Sequence, residues 1–522
     1  MHVVAYAPRG AEGLLVRVEA DIRRGIPGVD VTGLADGAVR EARERVRAAF
    51  RNSGYAFPAD RVLVNLAPAG FRKEGASLDL PIALAVMTAA DLVPSASGLM
   101  VLGELELSGR VRGVRGVLAA VAAGLKEGVE GFIVPAENAA EAAILAPDRT
   151  AGVGTLLEAA RVLELRKVLG RFPPSIPSSI GFPAGDRAAP GWAGDFREAR
   201  GLERYKRVLV IAAAGGHNVL VFGPPGGGKT MLARRLPSIM APLLPGEAVE
   251  ATRLHSLAGL VGADFPLVSR PPFRSPHHSA SAEGVLGGGR VVRPGEISLA
   301  HLGVLFLDEA PEFRSNVLNA LREPLEDGVI TIARADGSLS LPADFQLVLA
   351  ANPCPCGRLG SRPSANASGC FCSAEEISRY WRRLGAALLD RVELRVPVAR
   401  SSAAFPAREQ PESSAELASR VLRATLIQRE RYGGCGARRN ARLPPALVER
   451  FCALEGRAAS VFAVAVERLS FSARAVHACL RVARTIADLE GSERIMQEHV
   501  LEAVQHRRLG DDPFDIVAAE EE

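Results

Sequence analysis

The chain has 522 residues, 63 Lys+Arg against 59 Asp+Glu, a formal net charge of +4 and 48% hydrophobic residues. This is the balance of a globular protein of two to four domains; it excludes a disordered chain or a polycation, so any basic surface must be local. Residues 1–20 lack a cationic start with a sustained apolar core, and no apolar run reaches ~18 residues, so neither a signal peptide nor a membrane span is expected, and the seven Cys read as reduced cytoplasmic thiols or metal ligands.

Residues 1–170 alternate strand-like and helix-like runs. Val62–Leu66 reads as a strand, Leu80–Val93 as a mostly buried helix, Gly131–Pro135 as a strand and Ala136–Leu145 as a helix. An α/β or α+β domain follows from that alternation. Gly75-Ala-Ser77, Gly103-Glu-Leu-Glu-Leu-Ser-Gly109 and Val117-Leu-Ala-Ala120 give it a resemblance to the proteolytic domain of Lon, which has the ribosomal-protein-S5-like fold. The resemblance puts Ser77 at the nucleophile position. Lon pairs that serine with a lysine that takes its proton. In the matching frame the lysine position holds Val114, and the neighbouring Arg112 and Arg115 stay protonated and cannot act as a base. A proteolytically inactive scaffold or assembly domain is therefore expected.

Residues 171–195 carry five prolines among Ser, Gly and Ala and read as a linker. The next segment, 196–400, contains the most informative stretch of the chain. Asn218–Phe222 is an apolar strand, Gly223-Pro224-Pro225-Gly226-Gly227-Gly228-Lys229-Thr230 fits G-x-x-x-x-G-K-[ST], and Met231–Leu236 reads as helix. Strand, glycine-rich turn and helix in that order form the phosphate cradle of a P-loop NTPase. Backbone N–H groups of the turn face the β-phosphate of ATP, Lys229 reaches the β/γ oxygens, and the Thr230 hydroxyl ligates Mg²⁺. Only five lysines occur in the chain, and none follows Lys229. A chain that uses Arg almost everywhere keeps Lys where a compact ammonium fits and a guanidinium does not.

Val304-Leu-Phe-Leu-Asp308-Glu309 is an apolar strand ending in two carboxylates, 79 residues after Lys229. Asp308 suits the Mg²⁺ shell, and Glu309 can orient and deprotonate the attacking water. Between P-loop and Asp308, Arg290 and Arg293 are candidates for DNA phosphate contacts. So is Arg334, in a hairpin formed by Ile330–Arg334 and Ser338–Leu341 around Ala335-Asp-Gly337. Adjacent His277 and His278 sit in a Pro/Ser loop that is not expected to bind metal.

Gln346–Asn352 is another buried strand; Asn352 at its tip can hold the lytic water or touch the γ-phosphate. Cys354-Pro-Cys356 and Cys370-Phe-Cys372, separated by 13 residues, offer four thiolates to a tetrahedral Zn²⁺. Leu388-Leu-Asp-Arg391 supplies an arginine able to reach a neighbouring subunit's γ-phosphate. Residues 401–413 read as a second linker, 414–510 as a helical lid and 511–522 as an acidic tail. Phe471-Ser-Ala-Arg474 opens a lid helix, from which Arg474 can close over the phosphates.

The order P-loop, Asp-Glu, Asn, Arg and lid Arg is the AAA+ plan. With Pro272–Ser279, Arg293–His301, Ala351–Gly357 and Ala483–Leu489, the chain closely resembles the magnesium-chelatase-like AAA+ ATPases of the YifB/ComM family over nearly its whole length. The resemblance implies an α/β fold class: an N-terminal S5-like α+β domain, a central AAA+ P-loop α/β domain and a C-terminal helical lid. It also implies a homo-hexameric ring, a pore insertion of the kind seen in MCM-type helicases at about Phe273–Pro294, and a DNA helicase that drives branch migration during natural transformation. Two other classes stay open: the ATPase subunit of a metal chelatase, and an ATP-dependent protease, which needs the missing lysine.

Overall fold

A computed structural model describes residues 2–11, 13–34, 36–71, 73, 75–173, 194–262, 266–289, 292–334, 337–359, 369–398, 411–433, 435 and 437–508. Arg290, most of both linkers and the acidic tail lie outside the described residues.

The first body of structure is a seven-stranded mixed sheet. Its order is Gly28–Thr32, Arg61–Ala67, Leu14–Arg23, His2–Ala7, Leu99–Val101, Gly131–Pro135 and Thr150–Val153. In Arg61–Ala67 the side chains alternate. Val62, Val64 and Leu66 are buried, while Arg61 is exposed, so one face of that strand meets the core. The helix Asp79–Ala89 lies in that core, with every residue from Leu80 to Met87 buried. It ends four residues short of the expected Val93. At its start the buried Asp79 carboxylate takes a bidentate pair from Arg45, Nε at 2.7 Å and Nη2 at 2.9 Å, which compensates an otherwise costly buried charge.

The second body is a five-stranded parallel sheet in the order Phe273–Arg274, Val304–Leu307, Gln346–Ala351, Val219–Phe222, Leu394–Pro397. Val219–Phe222 and Val304–Leu307 are wholly buried apolar runs, as a parallel sheet covered on both faces requires. Each fully buried Val, Leu or Phe contributes ~1.5–3 kcal/mol. Because all five strands run the same way, the chain leaves Val219–Phe222, Val304–Leu307 and Gln346–Ala351 at one edge of the sheet. That places Gly223, Asp308 and Asn352 side by side.

The remaining residues form helices Ser414–Arg431, Pro445–Phe451, Gly456–Arg468, Ala473–Leu489 and Gln497–Arg508. A buried polar network fixes them to the sheet body. Gln428 Nε2 donates to Ala214 O (3.2 Å), and Asn440 Nδ2 donates to Thr485 Oγ1 (2.8 Å) and Asp488 Oδ2 (2.9 Å). Arg431 and Arg484 both pair with Asp488. His217, fully buried, meets Thr485 Oγ1 through Nε2 at 2.7 Å.

Burial, and secondarily the Arg481 charge, push the His217 imidazole down to about 3. Its folded pKa is thus below the unfolded value, so its contribution is present above ~6.5 and is lost as pH falls below it. Stability should drop from pH 6.5 toward pH 4 by up to about 1.4 kcal/mol per pH unit from this residue. Melting temperatures of wild type and His217→Gln across that window check it: the variant should show the shallower slope.

The two sheet bodies also touch. Helix Pro245–Ala258 of the second packs on helix Val117–Lys126 of the first, and Leu257 joins the apolar cluster of the latter. Glu141, 4% exposed, accepts from Leu118 N (2.8 Å) and from the Ser256 hydroxyl across that junction. Gly116 N donates to Ser256 O at 3.1 Å.

Candidate nucleotide-binding site

The turn after Phe222 is built from backbone conformations that side chains oppose. Gly226 and Gly228 take φ +79° and +80°, the left-handed region. At Gly223 the obstacle is space, because a Cβ would overlap the carbonyl oxygen of Val398, just past the neighbouring strand. Lys229 opens the helix Lys229–Ala233 and is 7% exposed. Its Nζ donates to Gly223 O (2.6 Å), Pro224 O (2.9 Å) and Asn352 Oδ1 (3.3 Å). Burial lowers the Lys229 pKa, opposed by the charges of Asp308 and Glu309. An ammonium held on loop carbonyls at the mouth of a glycine turn is available for exchange onto phosphate oxygens.

Thr230 Oγ1 donates to Asp308 Oδ2 at 2.7 Å. The hydroxyl and carboxylate expected to share a Mg²⁺ shell are therefore already neighbours, and their hard oxygen donors suit that ion. Glu309 follows in the left-handed region, φ 52°, held there by its N–H donating to Asp308 Oδ1 at 3.0 Å. This unusual backbone for a non-glycine residue leaves the Glu309 carboxylate half exposed beside the P-loop. Lys229, Thr230, Asp308, Glu309 and Asn352 thus converge, and the glycine turn together with them fits a magnesium nucleotide.

Several neighbours had no signal in the sequence. Tyr205, fully buried, donates its hydroxyl to Lys229 O at 3.3 Å. His278 Nδ1 lies 3.5 Å from Glu309 Oε2, with the His277 ring at 4.1 Å from its own. The Pro-His-His-Ser word marked the loop but not its destination.

Arg391 and Arg474 occupy a different place. Arg391 lies before Leu394–Pro397, whose register is Val219↔Leu394 and Phe222↔Pro397, and its carbonyl accepts from Asn218 Nδ2 at 2.8 Å. It therefore sits at the start of the strands, roughly 15 Å of strand from Gly223. Its Nη2 pairs with Glu326 at 2.5 Å. Arg474 pairs with the same Glu326 and, through Nη1, with Asp390 Oδ2 at 3.4 Å. Within this subunit Arg474, expected to close over the phosphates, is instead paired with Glu326 and Asp390, away from the P-loop. The polar network under the helices holds helix Ala473–Leu489 on the opposite end of the sheet, and Arg474 faces the Arg391 crevice.

The four cysteines follow Asn352 in the chain. Cys354 Sγ is 3.3 Å from Cys356 Sγ and 3.6 Å from Cys370 Sγ, and all four sulfur atoms, Cys372 included, lie within 4.8 Å of one another. Of the other three, Cys452 and Cys479 are buried, and Cys435 is exposed.

Of the candidate DNA contacts, Arg293 is exposed in a two-residue strand paired with Gly287–Gly288. The expected hairpin forms between Val329–Arg334 and Gly337–Pro342, with Arg334 opposite Gly337. Ile330 and Leu341 are buried while Thr331, Ser338 and Ser340 are exposed, so the hairpin has a wet face. The base of the Phe273–Pro294 segment is tied by Arg274 to Glu296, Nε at 2.5 Å and Nη2 at 2.7 Å.

In the first sheet body Ser77 lies in the short turn Ala76–Leu78. At the position of the missing lysine, Val114 exchanges backbone hydrogen bonds with the Asn138 amide, 2.9 and 3.0 Å. Lys73, fully buried, donates to Gly33 O (2.8 Å) and Pro68 O.

Comparisons with known proteins agree with this geometry. The family described as magnesium chelatase, subunit ChlI, matches residues 195–405; subunit ChlI of Mg-chelatase matches 18–138, and the ChlI C-terminal family matches 411–507. Competence protein ComM of Haemophilus influenzae is 39% identical over 97% of this chain and 97% of its own length. The uncharacterized protein YifB of Escherichia coli is 38% identical over 96% of each. Lon protease of Geobacter metallireducens is 26% identical over 195 residues, 36% of this chain and 23% of that protein.

Proposed function

Because the chain belongs to the YifB/ComM family of magnesium-chelatase-like AAA+ ATPases, we propose that it is a homo-hexameric, ATP-driven DNA helicase that promotes branch migration in recombination during natural transformation. In this reading it works in the cytoplasm as three domains, 1–170, 196–400 and 414–510, the first without peptidase activity because Ser77 has no lysine partner. Among the described residues no helix is long and apolar enough to cross a membrane.

The observation that supports the reading is the division of the candidate hydrolytic residues between two ends of one sheet. Lys229, Thr230, Asp308, Glu309 and Asn352 gather at the P-loop, while Arg391 and Arg474 share Glu326 far from it. If Arg391 and Arg474 serve hydrolysis, this separation supports a head-to-tail ring in which a neighbouring subunit supplies them. Identity with a competence protein supports DNA as the partner. So do Arg290, Arg293 and Arg334, which suit sequence-independent phosphate contacts.

Thr230 and Asp308 would hold Mg²⁺, which supplies charge neutralisation between the β- and γ-phosphates when bound. The chain's own residues do the rest. Backbone N–H groups of Gly226 to Thr230 orient the phosphates of ATP, and Lys229 exchanges its carbonyl partners for phosphate oxygens. Glu309 accepts the proton of the attacking water at a carboxylate oxygen. Asn352 positions that water or the γ-phosphate. Arg391 and Arg474 of the adjacent subunit stabilise the charge that develops there. The cysteine cluster has the donor set of a Zn²⁺ site.

A chelatase-type or protein-remodelling ATPase is the second reading, favoured by the three chelatase families that match the chain. ATP hydrolysis with and without single-stranded and branched DNA, at two salt concentrations, separates them. Stimulation by DNA that fades with salt is the expected result, because phosphate contacts release counterions. Hydrolysis indifferent to DNA at both salts sinks the helicase reading and leaves the ATPase.

A further inference from the structure

We infer that Cys354, Cys356, Cys370 and Cys372 form a structural tetrathiolate zinc knuckle that clamps Asn352 against the P-loop. This deepens the ATPase reading and rests on it for the role of Asn352, but the metal site stands on its own geometry.

Tetrahedral Zn²⁺ with Zn–S of ~2.3 Å sets its sulfur ligands about 3.8 Å apart. The Sγ separations here are 3.3 Å for Cys354–Cys356, 3.6 Å for Cys354–Cys370 and 3.6 Å for Cys356–Cys370. That is far outside the ~2.05 Å of a disulfide, and the four are free thiols. Leu359 N donates to Cys354 Sγ at 3.4 Å, the kind of amide contact that orients a metal-bound thiolate. Binding converts four thiols and one Zn²⁺ into a dianionic tetrathiolate and releases four protons.

What the ion joins gives the site its purpose. Cys354 is two residues past Asn352, and Cys372 directly precedes Ser373, whose hydroxyl caps helix Ala374–Arg382. The clamp therefore ties the tip of the Gln346–Ala351 strand to the start of that helix. The helix returns to the same place: Trp381 Nε1 donates to Pro353 O at 3.1 Å, and its ring meets Phe222 edge-on at 5.7 Å, 86°. Gly357 lies against the P-loop, since a Cβ there would be 2.9 Å from Pro225 Cδ. Asn352 Oδ1, held at that corner, accepts from Lys229 Nζ. The cysteines are thus positioning residues for Asn352.

The test begins with metal content. Full-length protein purified without chelator from zinc-supplemented cells should carry about one zinc per chain by mass spectrometry of the metal. Cobalt loading should give the intense visible bands of a tetrahedral tetrathiolate. Cys356→Ser and Cys372→Ser should lose the zinc, and Cys372→His should regain it, because three Cys and one His also make a structural site. The two serine variants spare buried Cys354 and so protect the fold. For the positioning role, the serine variants should lower single-turnover ATP hydrolysis about tenfold or more, on the scale set by mispositioned catalytic groups, with nucleotide affinity little changed. In an Asn352→Ala background the same serine substitutions should add almost no further loss. Absence of zinc in wild type, zinc retained by the serine variants, or a disulfide between any two of the four overturns the site. Zinc loss with unaltered hydrolysis, or full additivity with Asn352→Ala, overturns the clamp. A wild type that binds zinc but hydrolyses no ATP overturns the ATPase reading and leaves the metal site standing.

Discussion

Replacing Lys229 with alanine is expected to lower ATP hydrolysis by roughly 10²–10³-fold, the scale of losing one preorganised charge donor, and to weaken nucleotide binding as well. Glu309→Gln should lower hydrolysis by ~10²–10⁴-fold, the scale of a lost general base, while nucleotide binding stays close to wild type. The contrast follows from position. Lys229 Nζ is buried in the cradle, bonded to Gly223 O and Pro224 O, so its removal leaves those carbonyls unpaired and deprives the phosphates of a cation in ground state and transition state alike. The Glu309 carboxylate is half exposed outside the cradle, and in the proposed reading it acts on the attacking water and not on the bound nucleotide. Titration with a fluorescent ATP analogue, paired with single-turnover hydrolysis, reads both quantities. Equal loss of binding in the two variants would remove Glu309 from the base role, and near-wild-type hydrolysis by Lys229→Ala would remove the P-loop assignment.

The parts of the site legible in the sequence are those whose neighbours in space are neighbours in the chain. The P-loop announces itself through glycines that positive φ and close approach demand. Asp308 and Asn352 announce themselves as polar residues at the ends of apolar strands, and a parallel sheet then brings such strand ends together. The cysteine pairs were legible because two C-x-C words 13 residues apart supply four thiolates, and their sulfur atoms do come within 4.8 Å of one another. Contacts between bodies left no such trace. Ser256 and Leu257 look like ordinary helix residues, yet they dock the two sheet bodies through Glu141 and the apolar cluster beside it. His278 reaches Glu309 only because the Phe273–Arg274 strand pairs with Val304–Leu307. Arg474 read as a lid residue over the phosphates, with no sign of where it rests in this subunit, because sequence order cannot say onto which end of a sheet a helix packs. That choice is made by Gln428, Asn440, Thr485 and Asp488, polar residues that must be paired once buried and that find their partners under helix Glu203–Gly215 and at His217.

Arg391→Ala is expected to cost about 10³–10⁵-fold in hydrolysis, the range of an arginine supplied to a γ-phosphate from a neighbour, and the loss should be repairable by another subunit. In this chain the Arg391 side chain is 13% exposed, with Nη1 donating to Ala387 O at 2.5 Å and Nη2 held by Glu326 at 2.5 Å. Its Nε has no partner among the described residues, a buried donor left unpaired. Glu326 also holds Arg474, so one carboxylate restrains two cations that a docked phosphate would compete for. Mixing inactive Arg391→Ala with inactive Lys229→Ala subunits creates interfaces in which an intact P-loop faces an intact arginine. In a randomly mixed 1:1 ring about a quarter of head-to-tail interfaces have that composition, which bounds the recovery. Hydrolysis that rises from near zero toward that ceiling as the two variants are mixed shows that Arg391 acts across the interface. No recovery at any ratio, with mixed rings verified by mass, would mean that Arg391 serves its own subunit or only the fold, and the ring would lose the argument that the divided site supplies.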